Sequence, residues 1–118
     1  MPFPLRASVH GIALLSLVAV MQPSAPSRAA EVVVRAPDGL SESLRDASLS
    51  QTAVTEERTE AQDLIAAAQA DYRRVLGALY ERGFFSAEVH ILVDGREASD
   101  LSALRPPASV GTIEIVVT

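Results

Sequence analysis

The chain contains no cysteine and no lysine. Without cysteine there is no disulfide framework, no thiolate nucleophile and no thiolate metal site, so the fold must stand on its apolar core alone. Without lysine, arginine carries all ten positive charges. Histidine is scarce, with only His10 and His90 present. His90 alternates onto the polar side of a predicted strand and has no partner at ligand spacing, so it reads as a solvated side chain rather than a metal ligand. There is no G-x-S-x-G and no glycine-rich phosphate loop, which removes the usual acyl-transfer and phosphate-binding signatures. Glu56, Glu57 and Asp94 read most simply as surface carboxylates. The expectation is a protein that is not an enzyme and needs neither cofactor nor metal.

Positive charge is also in short supply. The formal net charge is −5, all fifteen acidic residues follow position 29, and two of the arginines, Arg6 and Arg28, precede it. From residue 30 onward the balance is therefore −7, which disfavours nucleic acid and anionic membrane surfaces as partners.

Residues 1–29 have the layout of a secretory signal peptide: Arg6 in a short leading region, an apolar stretch from Gly11 to Met21, then a Pro/Ser/Ala-rich exit. The apolar stretch is shorter than the ~20 residues a spanning helix needs. Small residues at Ser27 and Ala29 place cleavage after Ala29, with Ala30 as the alternative. What remains, residues 30–118, suffices for one small domain that buries about 60–65% of its unfolded surface.

That domain opens with EVVVRA, a short β-branched run closed by the turn residues Pro37-Asp38-Gly39. Leu40, Leu44 and Ala47 then recur at helical spacing and predict one short helix. The stretch SQTAVTEER reads as a polar link to a second helix of about 23 residues, roughly 34 Å long. Thr59 and Gln62 fit a capping box at its start. Leu64, Ala68, Tyr72, Val75, Leu76, Leu79 and Tyr80 form its apolar stripe, with Asp71, Arg73, Arg74 and Glu81 facing away.

The end of this helix carries the clearest local signal. With Arg82 as C-cap, Gly83 takes the left-handed position and Phe84 falls where a Schellman motif places its hydrophobic contact with Leu79. Phe85 is expected to bury where helix meets sheet. Val89, Ile91 and Val93 then alternate with Glu88, His90 and Asp94 as a half-buried strand. Asp94-Gly95 suits a tight turn with a brief return strand. A polar, Pro106-Pro107-containing connection leads to the last strand, with Ile113, Ile115 and Val117 on one face. The order strand, helix, helix, strand, strand predicts an α+β domain with a small mixed three-stranded sheet packed on a helix pair.

A long second helix running into LYERGFFSAEVHILVDG resembles the POTRA (polypeptide-transport-associated) domain of outer-membrane assembly proteins. Tyr80, Gly83, Phe84, Phe85, Ala87 and Val89 hold the places of the helix aromatic, glycine, aromatic pair, small residue and alternating strand. Within the BamA–TamA surface-antigen superfamily, residues 31–118, directly behind a signal peptide, are similar to the N-terminal POTRA domain of TamA-like assembly factors.

The resemblance implies a periplasmic module attached to the outer membrane through a C-terminal β-barrel absent from these 118 residues, so the chain is expected to be a fragment of a longer protein. It implies as partners unfolded outer-membrane or secreted polypeptides, autotransporters among them, and an inner-membrane-anchored TamB-like subunit, with no nucleic acid. The mechanism expected is β-augmentation along an exposed strand edge formed by Glu88, Val89, His90, Ile91, Leu92, Val93 and Asp94. The competing reading is a stand-alone exported α+β binding or accessory pro-domain. A KH-type RNA-binding module is set aside because the interhelical SQTAVTEER contains no GxxG loop.

Overall fold

The computed structural model describes residues 30–118. The expected signal peptide, residues 1–29, and cleavage after Ala29 lie outside the described residues; Ala30 is the first residue within them.

The chain runs β1 (Glu31–Arg35), α1 (Ser41–Ala47), α2 (Leu49–Thr55), α3 (Ala61–Glu81), β2 (Val89–Val93), β3 (Arg96–Glu97), a 3₁₀ turn (Ala98–Asp100) and β4 (Thr112–Val117). The α+β class expected from the sequence is what forms. The sheet has four strands rather than three, in the order β1-β4-β2-β3. β1 lies parallel to β4, with Val32 beside Ile113 and Val34 beside Ile115. β2 lies antiparallel to β4, with Ile91 beside Ile115 and Val93 beside Ile113. The added strand is the two-residue return anticipated after Asp94-Gly95: both residues have positive φ, 48° and 83°, which a two-residue hairpin of the type I′ kind requires.

All three helices pack on one face of this sheet. Val32, Ile91, Val93, Ile113, Ile115 and Val117 are buried there against Leu44, Leu64, Ile65, Ala68, Val75 and Leu79. The strict alternation of β4, buried at every second residue, is the period of a strand with one covered face.

The polar link expected between two helices is itself helical. Ser48 breaks the chain with an extended ψ of 126°, and its side chain accepts from the Gln51 amide, capping α2. Ala53 is buried on α2 and supplies its apolar anchor. At the other end Glu57 has φ of 58°, with Arg58 N–H bonding Ala53 C=O and Glu57 N–H bonding Val54 C=O. That is a Schellman motif with glutamate in the glycine position.

α3 spans 21 residues, and its expected capping box does not form. The N-cap is Glu60, without a side-chain bond. Leu64 N–H bonds Glu60 C=O, which places Thr59 outside the helix and Gln62 at the second helical position, one residue out of register for the reciprocal bonds. The C-terminus follows expectation: Gly83 has φ of 83°, Phe84 N–H bonds Leu79 C=O at 2.9 Å and Gly83 N–H bonds Tyr80 C=O at 3.0 Å.

Asp71 does not face away. It is 0% exposed, at the centre of the helix surface that packs inward. Its carboxylate accepts from Ser48 Oγ (2.7 Å), Leu49 N–H (2.6 Å) and Ser50 N–H (3.1 Å). α3 thereby satisfies amide donors that the first turn of α2 cannot satisfy itself.

Candidate functional site

A strand in a sheet turns alternate backbone groups to either side, so the free edges follow from the ladder. Glu88 exchanges bonds with Thr118, and Asp94 N–H bonds Thr112 C=O. Even-numbered residues of β2 therefore point to β4, and Val89, Ile91 and Val93 point outward. Of these, Val93 is paired with Arg96 in β3. The Ile91 carbonyl lies 3.3 Å from the Tyr72 hydroxyl, and the Ile91 amide faces the Glu97 carboxylate and helps to lower its pKa. Only Val89 keeps both outward groups without a partner among the described residues. The expected augmentation edge, Glu88 to Asp94, is thus an interior strand, flanked by β4 along its length and by β3 at Leu92 and Val93.

The side chains that close this flank form one network. Glu97 accepts from the Tyr72 hydroxyl and pairs with His90 Nδ1, and His90 Nε2 meets Glu88 at 2.9 Å. The Tyr72 hydroxyl in turn accepts from the Ser99 amide at 3.2 Å. The Tyr72 bond, joined by those from His90 and the Ile91 amide, holds the Glu97 carboxyl below the usual carboxylate range. Glu97 first, then Glu88, raises the His90 imidazole above its ordinary value. Burial, then the bond to Glu97, pushes the Tyr72 hydroxyl up. His90 is therefore a paired side chain rather than a freely solvated one. Among the described residues no group of three or more His, Asp or Glu could hold a metal ion, and no helix is long and apolar enough to cross a membrane.

The open edge is β1. Glu31 N–H bonds Gly111 C=O at 2.9 Å, so in the parallel ladder Glu31, Val33 and Arg35 face β4 while Val32 and Val34 face away. Arg45 Nη1 donates to the Val32 carbonyl at 3.3 Å. The Val32 amide and both backbone groups of Val34 have no partner among the described residues. Among the described residues no strand lies beyond them.

At the end of the sheet where β1 and β4 finish and β2 begins, the chain exposes an aromatic corner. Tyr80 is 46%, Phe84 43% and Phe85 71% exposed, with the Tyr80 and Phe85 rings 5.6 Å apart and tilted by 45°. Phe85 does not bury where helix meets sheet, because the Schellman turn directs the chain outward before β2 starts. Phe84 holds the capping position after Leu79, whose carbonyl its amide bonds, but its own ring stays half exposed. Between this corner and the Pro37–Leu40 turn lies a groove of about 330 Å³ lined by Pro37, Leu40, Phe84, Phe85, Ala87 and Val117, among others.

Of the residues singled out from the sequence, the structure brings Gly83, Phe84 and Phe85 to the groove and buries Leu79 beneath the helix end. Thr59 and Gln62 lie exposed at the far end of α3. Sequence reasoning missed Arg45, Asp71 and Glu97. Asp71 left a trace: Leu64, Ala68, Asp71, Val75 and Leu79 follow one continuous helical spacing, with the carboxylate in the middle of an otherwise apolar stripe.

No protein-family model, curated protein or solved structure matches this chain.

Proposed function

We propose that residues 30–118 form a periplasmic polypeptide-binding module of the POTRA kind, which captures an extended segment of a client or partner by strand addition. The observation that carries the reading is the unpaired outer flank of β1: the Val32 amide and the Val34 amide and carbonyl alternate along it as an added strand requires. The glycine–diphenylalanine helix end and the acidic balance support it, as does a leading segment with the layout of an export signal. On this reading the module is non-enzymatic. Its clients are unfolded outer-membrane or secreted polypeptides, its partner is a TamB-like subunit, and attachment to the outer membrane comes through a barrel outside these residues.

Hydrogen–deuterium exchange of the chain, with and without an extended peptide of alternating apolar and polar residues, tests the assignment at single-amide level. Slowed exchange at Val32 and Val34, with Val33 and Arg35 unchanged because they already bond β4, is the expected pattern. Protection at Val89 instead would move the site to β2. Protection nowhere would favour a stand-alone exported domain over a strand-binding one.

A further inference from the structure

The residues of β1 read Glu31-Val32-Val33-Val34-Arg35. Reversed, the strand keeps its three valines and exchanges its two charges. Antiparallel pairing of two such strands about Val33 therefore sets Glu31 of each copy opposite Arg35 of the other, with Val32 opposite Val34 and Val33 opposite Val33. Glu31, Val33 and Arg35 share the sheet face that the helices leave open, beside Thr112, Glu114 and Val116. Both charged pairs and the central valine pair thus fall on one surface, where directly opposed side chains interact most strongly.

The backbone fits the same register. In an antiparallel ladder, the residues that exchange two hydrogen bonds are those whose amide and carbonyl both turn toward the neighbouring strand. On the outer flank of β1 those are Val32 and Val34, and pairing about Val33 joins them to each other. A two-fold axis through Val32 instead sets Glu31 opposite Val33 and Arg35 opposite Ala29; one through Val34 sets Arg35 opposite Val33 and Glu31 opposite Pro37. Either shift leaves each charge facing an apolar residue.

The flank also lacks the usual edge defences. Natural sheets blunt an open edge with lysine, proline, a bulge or an inward charge, whereas β1 offers consecutive valines in an unbroken ladder with β4. The Arg45 guanidinium leans over it, donating to the Val32 carbonyl at 3.3 Å, and that oxygen has a second lone pair for the Val34 amide of another copy. Glu31 has no ion-pair partner among the described residues. Arg35 meets Glu114 at 3.7 Å with its side chain 66% exposed, so both charges are accessible across the seam.

We propose that two copies of this chain join along β1, antiparallel about Val33, into one continuous sheet of twice four strands with every helix on the same face. The inference rests on the proposed function only for the openness of the β1 edge; the occupant is a second copy, which a client strand must displace. A seam of one five-residue strand belongs with small, transient interfaces, so the dimer is an exchangeable cover for the edge.

Sedimentation velocity of the full chain from about 1 µM to 1 mM should show a monomer–dimer equilibrium, with hydrogen–deuterium exchange at the Val32 and Val34 amides slowing as the dimer forms. Glu31→Arg and Arg35→Glu, both at exposed positions, each set like charges across the seam twice and should weaken the dimer about tenfold. Mixed together, the two variants regain opposite charges at both pairs and should recover most of the native affinity, as should the double variant in which the charges are exchanged. Association indifferent to these charges, no recovery in the mixture, or no dimer up to about 1 mM overturns the proposal.

An extended peptide that protects Val32 and Val34 in a chain that never dimerises refutes the second copy and leaves strand addition by clients standing. Charge-specific dimerisation that no peptide reverses upholds the seam and refutes client capture at β1. Neither dimer nor peptide protection overturns both.

Discussion

Asp71→Ala removes the carboxylate that receives the first turn of α2, and the cost can be worked from its three partners. Hydrogen bonds to a charged acceptor contribute about 1.5–3 kcal/mol each, and loss of a helix cap typically costs about 1 kcal/mol. These terms do not add, since the three bonds share one group whose own desolvation offsets part of the gain. What alanine cannot replace is the satisfaction of the Leu49 and Ser50 amides beneath α3. Two orphaned donors at ~1–2 kcal/mol each put the loss near 3 kcal/mol. For a domain of this size that lowers the thermal midpoint by about 12–24 °C, out of a total stability of roughly 4–13 kcal/mol. Asp71→Asn keeps the shape and one acceptor oxygen but turns a donor toward the Ser50 amide, so about half the effect should remain. Urea unfolding followed by far-ultraviolet circular dichroism measures both. A loss below about 0.5 kcal/mol for Asp71→Ala would refute the clamp.

Four shorter predictions test other parts of the same reasoning. Gly83→Val should cost about 1–2 kcal/mol through the left-handed penalty alone, since a Cβ at Gly83 meets nothing within 4 Å; a cost beyond about 3 kcal/mol in urea titration would mean that packing is involved after all. Glu57→Gly relieves the same penalty at φ of 58° and should stabilise by up to about 1 kcal/mol, seen as a higher urea midpoint. Ser50→Ala removes a buried hydroxyl that has no hydrogen-bond partner and should be neutral or stabilising by about 0.5–1 kcal/mol, read in the same titration. His90, raised above 6.5 in the folded protein, contributes stability that is present below that value and is lost as the pH rises through its folded pKa; Glu97, lowered below 4.5, contributes stability that is lost as the pH falls through its own. Thermal midpoints should therefore decline as the pH rises from 6.5 through the raised His90 pKa, and a profile for His90→Gln with the same decline would remove the histidine from the explanation.

The elements that sequence periodicity located, namely β1, α1, α3, β2 and β4, are those whose burial is a one-dimensional pattern along a single segment. The C-terminal motif of α3 was legible for a related reason: Gly83 and Phe84 stand at fixed offsets from Leu79. The motif ending α2 was not, because Glu57 occupies its left-handed position and glutamate does not announce that conformation. Asp71 was read as solvent-facing because its chemistry is satisfied by donors more than twenty residues away, a distance over which no local pattern reports. Phe85 shows the converse. Burial is the default for an apolar side chain, and only the direction in which the chain leaves the helix decides otherwise. The open edge depended on strand order: β4 enters between β1 and β2, and residues contributed by α1, α3 and β3 then occupy parts of both outer flanks.

That insertion of β4 also sets when the domain can exist. Among the described residues β1 pairs with no strand except β4, beginning with Glu31 beside Thr112, so this strand must wait for a segment about eighty residues further along. Bringing those ends together costs roughly 4 kcal/mol in chain entropy on the (3/2)RT ln n scale, and contacts of such long separation slow folding. During synthesis the helices can form early but the sheet cannot close. The chain stays open and threadable until Thr112–Val117 emerges.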